Sequence, residues 1–383
     1  MDFLQAETMN ERLKMMEKLK DGFFERAAEI DENNGFPFEN IKELKESGYT
    51  ALTVPKQFGG KDISLYEMIR LQERIAEGDG STALAIGWHM GIIKNLGEKG
   101  KWEDDMLEFI FSEALNGKLI NAAATEPKTG SPTRGGKPET TAVKTDDGWL
   151  VNGHKTFTSL APALDYILVS ATIEETGEVG NFLVPAASSG VRIEETWDSI
   201  ALKGTGSHDL FVENVHVPHQ HFVDVRSKGK KGAEGWLLHI PACYLGIAQA
   251  AQTYAIQFSK EYSPNSIKGT ISELPNVQEK IGEMELEMMR ARSFLYSVAK
   301  QWDEASKADQ ADMLPELGAV KLAVTNAAIV VVDLAMRVVG AKSLSLKNPL
   351  QRFYRDVRAG IHNPPMDDMT IMLLAKSALE RGN

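Results

Sequence analysis

The sequence predicts an α+β chain in which helices come first, a compact β domain follows and a helical bundle ends it. Three observations predict that order. Apolar residues recur at helical spacing up to about Lys118, the period drops to two between about Leu119 and Val225, and helical spacing returns from about Gly232. The corresponding domains are residues 1–118, 119–228 and 229–383.

In the first domain the periodic stretches are "FENIKELKESGY" and "SLYEMIRLQERIAEGDGSTALAIGWHMGIIKNLGE", parted by the Pro- and Gly-bearing loop "TVPKQFGGKDIS". In the second, alternation runs through "TTAVKTDDGWLVNGHKTFTS", "DYILVSATI", "NFLVPA", "GVRIEETW" and "DLFVENVHVP". Asp147-Gly148 and Asn152-Gly153 are expected to supply turns between these strands, because such pairs accept the left-handed backbone of a tight hairpin. "GTGSHD", Gly204 to Asp209, lacks a following helix and a phosphate-binding lysine, so a hairpin turn is expected there rather than a nucleotide loop. Four long runs make the third domain: Trp236 to Glu261, Leu274 to Glu304, Pro315 to Val339 and Pro349 to His362. The stretch "IHNPPMDD" closes the last of them. Its two prolines stop the helix, and Asp367 and Asp368 follow where carboxylates complement the positive end of a new one.

Composition narrows the function. Lys and Arg total 42 against 54 Asp and Glu, a net charge of -12, which argues against nucleic acid or an anionic membrane as the main partner. The single cysteine, Cys243, can form neither an intramolecular disulfide nor a thiolate metal cluster, and in the apolar run "IPACYLGIA" it is expected to be buried and inert. No metal site is predicted. The first thirty residues mix charges at helical spacing, so a cytoplasmic protein is expected. The longest apolar stretch, Ala327 to Val332, is cut by Asp333 and reads as a buried bundle helix rather than a membrane span.

"NAAATEPKTGS", "DGWLVNGHKTFTS" and "ALKGTGSHDLFVENVHVP" together resemble the middle domain of the acyl-CoA dehydrogenase flavoprotein superfamily. "FPFENIKELKESGYTALTVPKQFGG" is similar to its N-terminal helical domain, and "PLQRFYRDVRAG" to the last helix of its C-terminal four-helix bundle. The resemblance implies FAD as cofactor and an acyl-CoA as substrate. The run "GAVKLAVTNAAIVVVDLAMRVVG" is apolar around more of its circumference than one neighbour in a monomer would cover, so a homotetramer built through the bundle is expected. A flavin needs donors along its edge and a wall for its face. Pro127 and Gly130 turn "ATEPKTGS" away from strand pairing, while Thr125 and Ser131 add hydroxyls; by resemblance Ser131 also lies along the pantetheine side of the substrate pocket. Phe157, where the family usually has Trp, supplies the wall, with Thr158 and Ser159 beside it.

The pattern fails at the catalytic base. Where most members carry a glutamate after the last helix stands Pro364, and the second known placement falls on Trp236. The "R..FG" cofactor clamp reads "EYSPNS", and the glycine loop near the adenine is only partly kept, as "VGAKSL". Candidate catalytic groups are therefore His362, Asp367 and Asp368, with Glu234 a further carboxylate before the first bundle helix. The first reading is α,β-dehydrogenation of an acyl-CoA, with electrons passed to an electron-transfer flavoprotein. One alternative is a two-component flavin-dependent monooxygenase supplied by a flavin reductase, in which His362 lies near the flavin. Another is a flavin-binding homologue without a base, acting as a structural partner.

Overall fold

The computed structural model describes residues 2–129, 136–225 and 232–380. Five helices form the N-terminal domain: α1 (Met9–Glu32), α2 (Phe38–Glu46), α3 (Leu65–Gly78), α4 (Gly80–Lys99) and α5 (Asp104–Leu115). Their starts are written in the sequence. Thr8 and Glu11 make a reciprocal capping box on α1, and the Asp79 carboxylate takes the Ser81 and Thr82 N–H groups that open α4.

The β domain holds β1 (Ile120–Ala123), β2 (Thr141–Lys144), β3 (Gly148–Thr158), β4 (Tyr166–Ile173), β5 (Val179–Pro185), β6 (Val191–Glu194), β7 (His208–Pro218) and β8 (Phe222–Val225). Their order is β6-β7-β3-β2-β4-β5-β8, and β1 runs parallel to the first half of β4 while β2 takes its far end. Trp149, Phe182 and Phe222 pack ring against ring inside it.

Two expected turns have other forms. Asp147-Gly148 does join β2 to β3, but Asn152-Gly153 lies within β3, where the register slips against β7. A side chain on Gly153 would stand 2.2 Å from the Thr140 hydroxyl, so the glycine clears a close approach at a bulge rather than turning the chain. The "GTGSHD" segment belongs to a long connection between the antiparallel neighbours β6 and β7, and it forms a 3₁₀ turn at Lys203–Thr205 docked on the helices. Gly204 approaches Ile30 and Ser81, and its N–H donates to the Ser81 hydroxyl at 3.2 Å.

The C-terminal domain is built from α6 (His239–Glu261), α7 (Pro275–Glu304), the short α8 (Lys307–Asp312), α9 (Leu314–Val339), α10 (Pro349–Asp356) and α11 (Asp367–Glu380). The last expected run ends its α-helix at Asp356 and continues as 3₁₀ turns from Val357 to His362. Leu314–Leu344 is long and apolar enough by composition to cross a membrane; half of its apolar window is buried, and it packs on α6, α7 and α11. Cys243 is buried, with its thiol donating to the Gly80 carbonyl.

Arg355 and Asp356 do not pair with each other. The Arg355 guanidinium reaches the Asp31 carboxylate of α1 and the Ile200 carbonyl, whereas Asp356 accepts the Leu202 N–H. Both therefore tie the bundle to the other two domains.

Candidate active site

The end of β3 brings two of the expected cofactor segments together. The Thr156 N–H donates to the Thr125 carbonyl at 2.9 Å, so Thr125 lies beside the strand end that carries Phe157, Thr158 and Ser159. Gly130 and Ser131 lie outside the described residues. Phe157 is 62% exposed, which excludes a core role, and among the aromatic rings of the described residues its ring meets Trp197, edge to face at 6.0 Å. Its φ is +57°, a left-handed backbone that costs a bulky residue on the order of 1–2 kcal/mol. Leu160 and Leu202 share that conformation nearby, and the Leu160 N–H donates to the Thr205 carbonyl. Strain of this kind gathers where a surface is shaped for a ligand.

Hydroxyls line the same corner. Ser159 and Thr205 each bond the Ser207 hydroxyl at 2.8 Å, while the buried Thr156 and Thr158 hydroxyls have no hydrogen-bond partner among the described residues. An exposed aromatic ring flanked by unpaired donors fits the face and edge of an isoalloxazine.

A buried ion pair fixes the loop from beneath. Glu126 accepts the Lys155 ammonium at 2.6 Å, the Thr140 hydroxyl and N–H, and the Glu139 N–H. Burial alone would raise its carboxyl, but these donors outweigh it and hold the group at about 2. His208 is pushed below the ordinary histidine value, first by burial, and accepts the Trp197 N–H.

A second candidate feature is an apolar cavity of about 380 Å³ between the segment before α6, α9 and α11. Pro364 and Pro365 form one wall, and Glu234, Leu237, Leu238, Leu317, Lys321 and Thr370 are among its other lining residues. The chain fold thus sets Glu234 in the same chamber as Pro364 and Pro365. Its carboxylate meets the Lys99 ammonium at 3.4 Å. The alternative base position, Trp236, is filled by a buried indole parallel to the His239 ring and edge-on to Trp88. Gly91 makes room for it, since a side chain there would meet the indole at 2.2 Å. Burial pushes His239 down to about 3, so this imidazole is neutral.

The three candidates on the corner itself are not among the residues lining this cavity. His362 is exposed at the end of the 3₁₀ segment. Asp367 begins α11 and takes the Lys321 ammonium at 3.1 Å, and Asp368 accepts the Met369 N–H. Sequence reasoning passed over Lys321, Trp197 and the Glu126–Lys155 pair. Lys321 did leave a signal: it stands alone on the apolar face of α9, one turn from Leu317 and from Thr325.

Helices, a β domain with a solvent-facing aromatic wall and a bundle enclosing an apolar chamber are the layout of flavin-dependent oxidoreductases. The chain belongs to the acyl-CoA dehydrogenase family: residues 11–103 match its N-terminal domain, 121–215 its middle domain and 238–363 its C-terminal domain. It is 52% identical to "Putative acyl-CoA dehydrogenase YdbM" of Bacillus subtilis (strain 168), covering 99% of both chains. Two solved structures share the fold. Butyryl-CoA dehydrogenase from Megasphaera elsdenii superposes with a TM-score of 0.84 at 22% identity, over 99% of this chain and 100% of that one. KijD3, in complex with FMN and an amino-keto-sugar nucleotide, does so with a TM-score of 0.86 at 22% identity, over 98% of this chain and 95% of that one.

Proposed function

We propose that this protein is an FAD-dependent dehydrogenase of acyl-CoA thioesters, forming the Cα–Cβ double bond and passing its electrons to an external acceptor such as an electron-transfer flavoprotein. The observation that carries the reading is that Glu234 and the Pro364–Pro365 corner line one apolar cavity. Phe157 backs the ring of the cofactor, with Thr125, Thr156, Thr158 and Ser159 at its edge. The flavin, when bound, supplies the two-electron acceptor for the hydride leaving Cβ. Glu234 takes the proton from Cα, and Leu237, Leu238, Leu314 and Leu317 hold the acyl chain and keep water away. The test is anaerobic bleaching of the flavin by a panel of acyl-CoA thioesters. Glu234→Gln is expected to slow bleaching by about 100-fold or more. An unchanged rate would move the base elsewhere.

One observation favours a second reading. His362 presents an exposed ring with no protein partner among the described residues, which leaves it free for a role in a flavin-dependent monooxygenase served by a reductase. KijD3, of the same fold, has been solved with FMN. Oxygen consumption by the protein charged with reduced flavin, lost in His362→Ala, would select it. In either reading a homotetramer formed through the bundle accounts for exposed Leu286 and Met289 on α7 and Val330 on α9. Light scattering that gives a monomer would overturn the assembly.

A further inference from the structure

The cavity is apolar on most of its wall, and two of its residues break that rule. Lys321 rises from the middle of α9 among Leu317, Val320 and Val324, and its side chain is 2% exposed. An ammonium has three N–H donors. Among the described residues its one acceptor is Asp367, at 3.1 Å. Burial pushes Lys321 below the ordinary lysine value and the Asp367 carboxylate works against that, so the pair is an ion pair with donors to spare. Thr370, 2% exposed and one turn into α11, lines the same chamber, and its buried hydroxyl has no hydrogen-bond partner among the described residues.

A chamber meant for a plain hydrocarbon chain has no use for these groups, because each unpaired donor left against an apolar ligand weakens binding. Pinning α11 to α9 explains the Lys321–Asp367 bond but not the Thr370 hydroxyl. Charge then selects among polar ligands. Lys321 is neutralised by Asp367, and Glu234, the other charged residue of the lining, by Lys99. A chain ending in a carboxylate would bring an uncompensated negative charge into an apolar space whose two charged lining residues are already paired. A neutral oxygen accepts from the spare ammonium donors and from the Thr370 hydroxyl without that cost.

Resting on the reading of this cavity as the acyl site, we infer that the substrate is a thioester whose acyl chain carries a neutral oxygen, a keto or hydroxyl group beyond Cβ, and that Lys321 and Thr370 select it. A site built to bond such an oxygen rejects the analogue lacking it, since its own buried donors are then left unpaired.

The experiment compares octanoyl-CoA with its monoketo analogues, the oxygen moved carbon by carbon beyond Cβ, and with suberyl-CoA, which ends in a carboxylate. Affinity is read by calorimetry on the flavin-loaded protein, and flavin bleaching is followed separately. At least one keto analogue is expected to bind on the order of 10- to 100-fold more tightly than octanoyl-CoA. Lys321→Met should erase the preference and Thr370→Val should shrink it, while octanoyl-CoA binds either variant no less tightly than the parent. Equal affinity for octanoyl-CoA and every keto analogue overturns the inference, as does a preference for suberyl-CoA or failure of all three ligand classes to bind. Should Lys321→Met fail to fold, the parent's ligand preference and Thr370→Val still decide. A keto preference without bleaching by any thioester sustains the inference and defeats the dehydrogenase reading. Bleaching by the thioesters with no keto preference in affinity does the reverse.

Discussion

The Leu202 N–H donates to the Asp356 carboxylate at 2.6 Å, across the boundary between the β domain and the bundle. Leu202 in turn accepts the Trp197 indole N–H and the Thr205 hydroxyl, so one carboxyl in α10 steadies the loop that stands against Phe157. Burial raises Asp356 to about 7, against the pull of the Leu202 N–H and Arg352, with Asp31 and Asp79 pushing the same way as burial. The folded state therefore holds this proton more tightly than the unfolded chain. Its contribution to stability is full below the ordinary aspartate range and is lost as pH rises from about 4 to about 7.

Asp356→Asn keeps an oxygen for the Leu202 N–H and removes the titration. Between pH 5 and pH 7.5 the parent should lose on the order of 2 kcal/mol relative to this variant, read from urea midpoints. The difference between the two proteins is the quantity to follow. Glu77, raised to about 7 chiefly by burial, and His89, lowered to about 4 chiefly by burial, titrate nearby in both. Parallel stability curves would show that Asp356 is ionised in the fold.

Glu126 and Lys155 make the opposite case, a buried pair with almost every donor answered. Lys155→Met leaves a buried carboxylate short of its cation and should cost about 3 kcal/mol, whereas Glu126→Leu combined with Lys155→Met should recover most of it. Flavin content separates stability from shape. The double variant should fold yet hold flavin less tightly, because the loop has lost the bonds to Thr140 and Glu139. Full flavin retention would free the loop from any part in the cofactor site.

Phe157 joins strain to function. Glycine accepts the left-handed backbone without penalty, so Phe157→Gly should gain about 1 kcal/mol of stability in the flavin-free protein and lose about 10-fold in flavin affinity. Loss of stability in that variant would mean that the ring packs for the fold rather than for the cofactor.

The three-domain order was legible because the period of apolar residues reports which faces are buried. Phe157 stood out by its place after "NG.K". Other features depend on partners far away in the chain. Gly153 looks like a turn residue until Thr140 is seen where its side chain would be, and no local pattern says that Arg355 reaches α1 while Asp356 reaches the β domain. Glu234 was one candidate carboxylate among several in the sequence, and only the fold shows that it lines one cavity with Pro364 and Pro365. Lys321 was visible as a charge on an apolar helix face, but its meaning required the cavity.

The last prediction concerns the corner residues His362, Asp367 and Asp368. Asp367 is engaged by Lys321 and also receives the Asn326 amide at 3.4 Å, and Asp368 bonds the backbone of its own helix turn. Asp367→Asn should therefore weaken the hold of α11 on α9, lowering stability by about 1 kcal/mol while flavin bleaching by a good thioester persists. Asp368→Asn should change neither. Pro364→Glu is the complementary change, since it sets a second carboxylate on the wall opposite the apolar residues of α9. If Glu234 is a base working at imperfect geometry, this variant should bleach faster than the parent, and it should keep bleaching when Glu234→Gln is added. Should Asp367→Asn or Asp368→Asn abolish bleaching with the fold and flavin content intact, the base belongs to the corner and not to Glu234. Should His362→Ala alone remove every flavin reaction, the oxygen-activating reading takes its place.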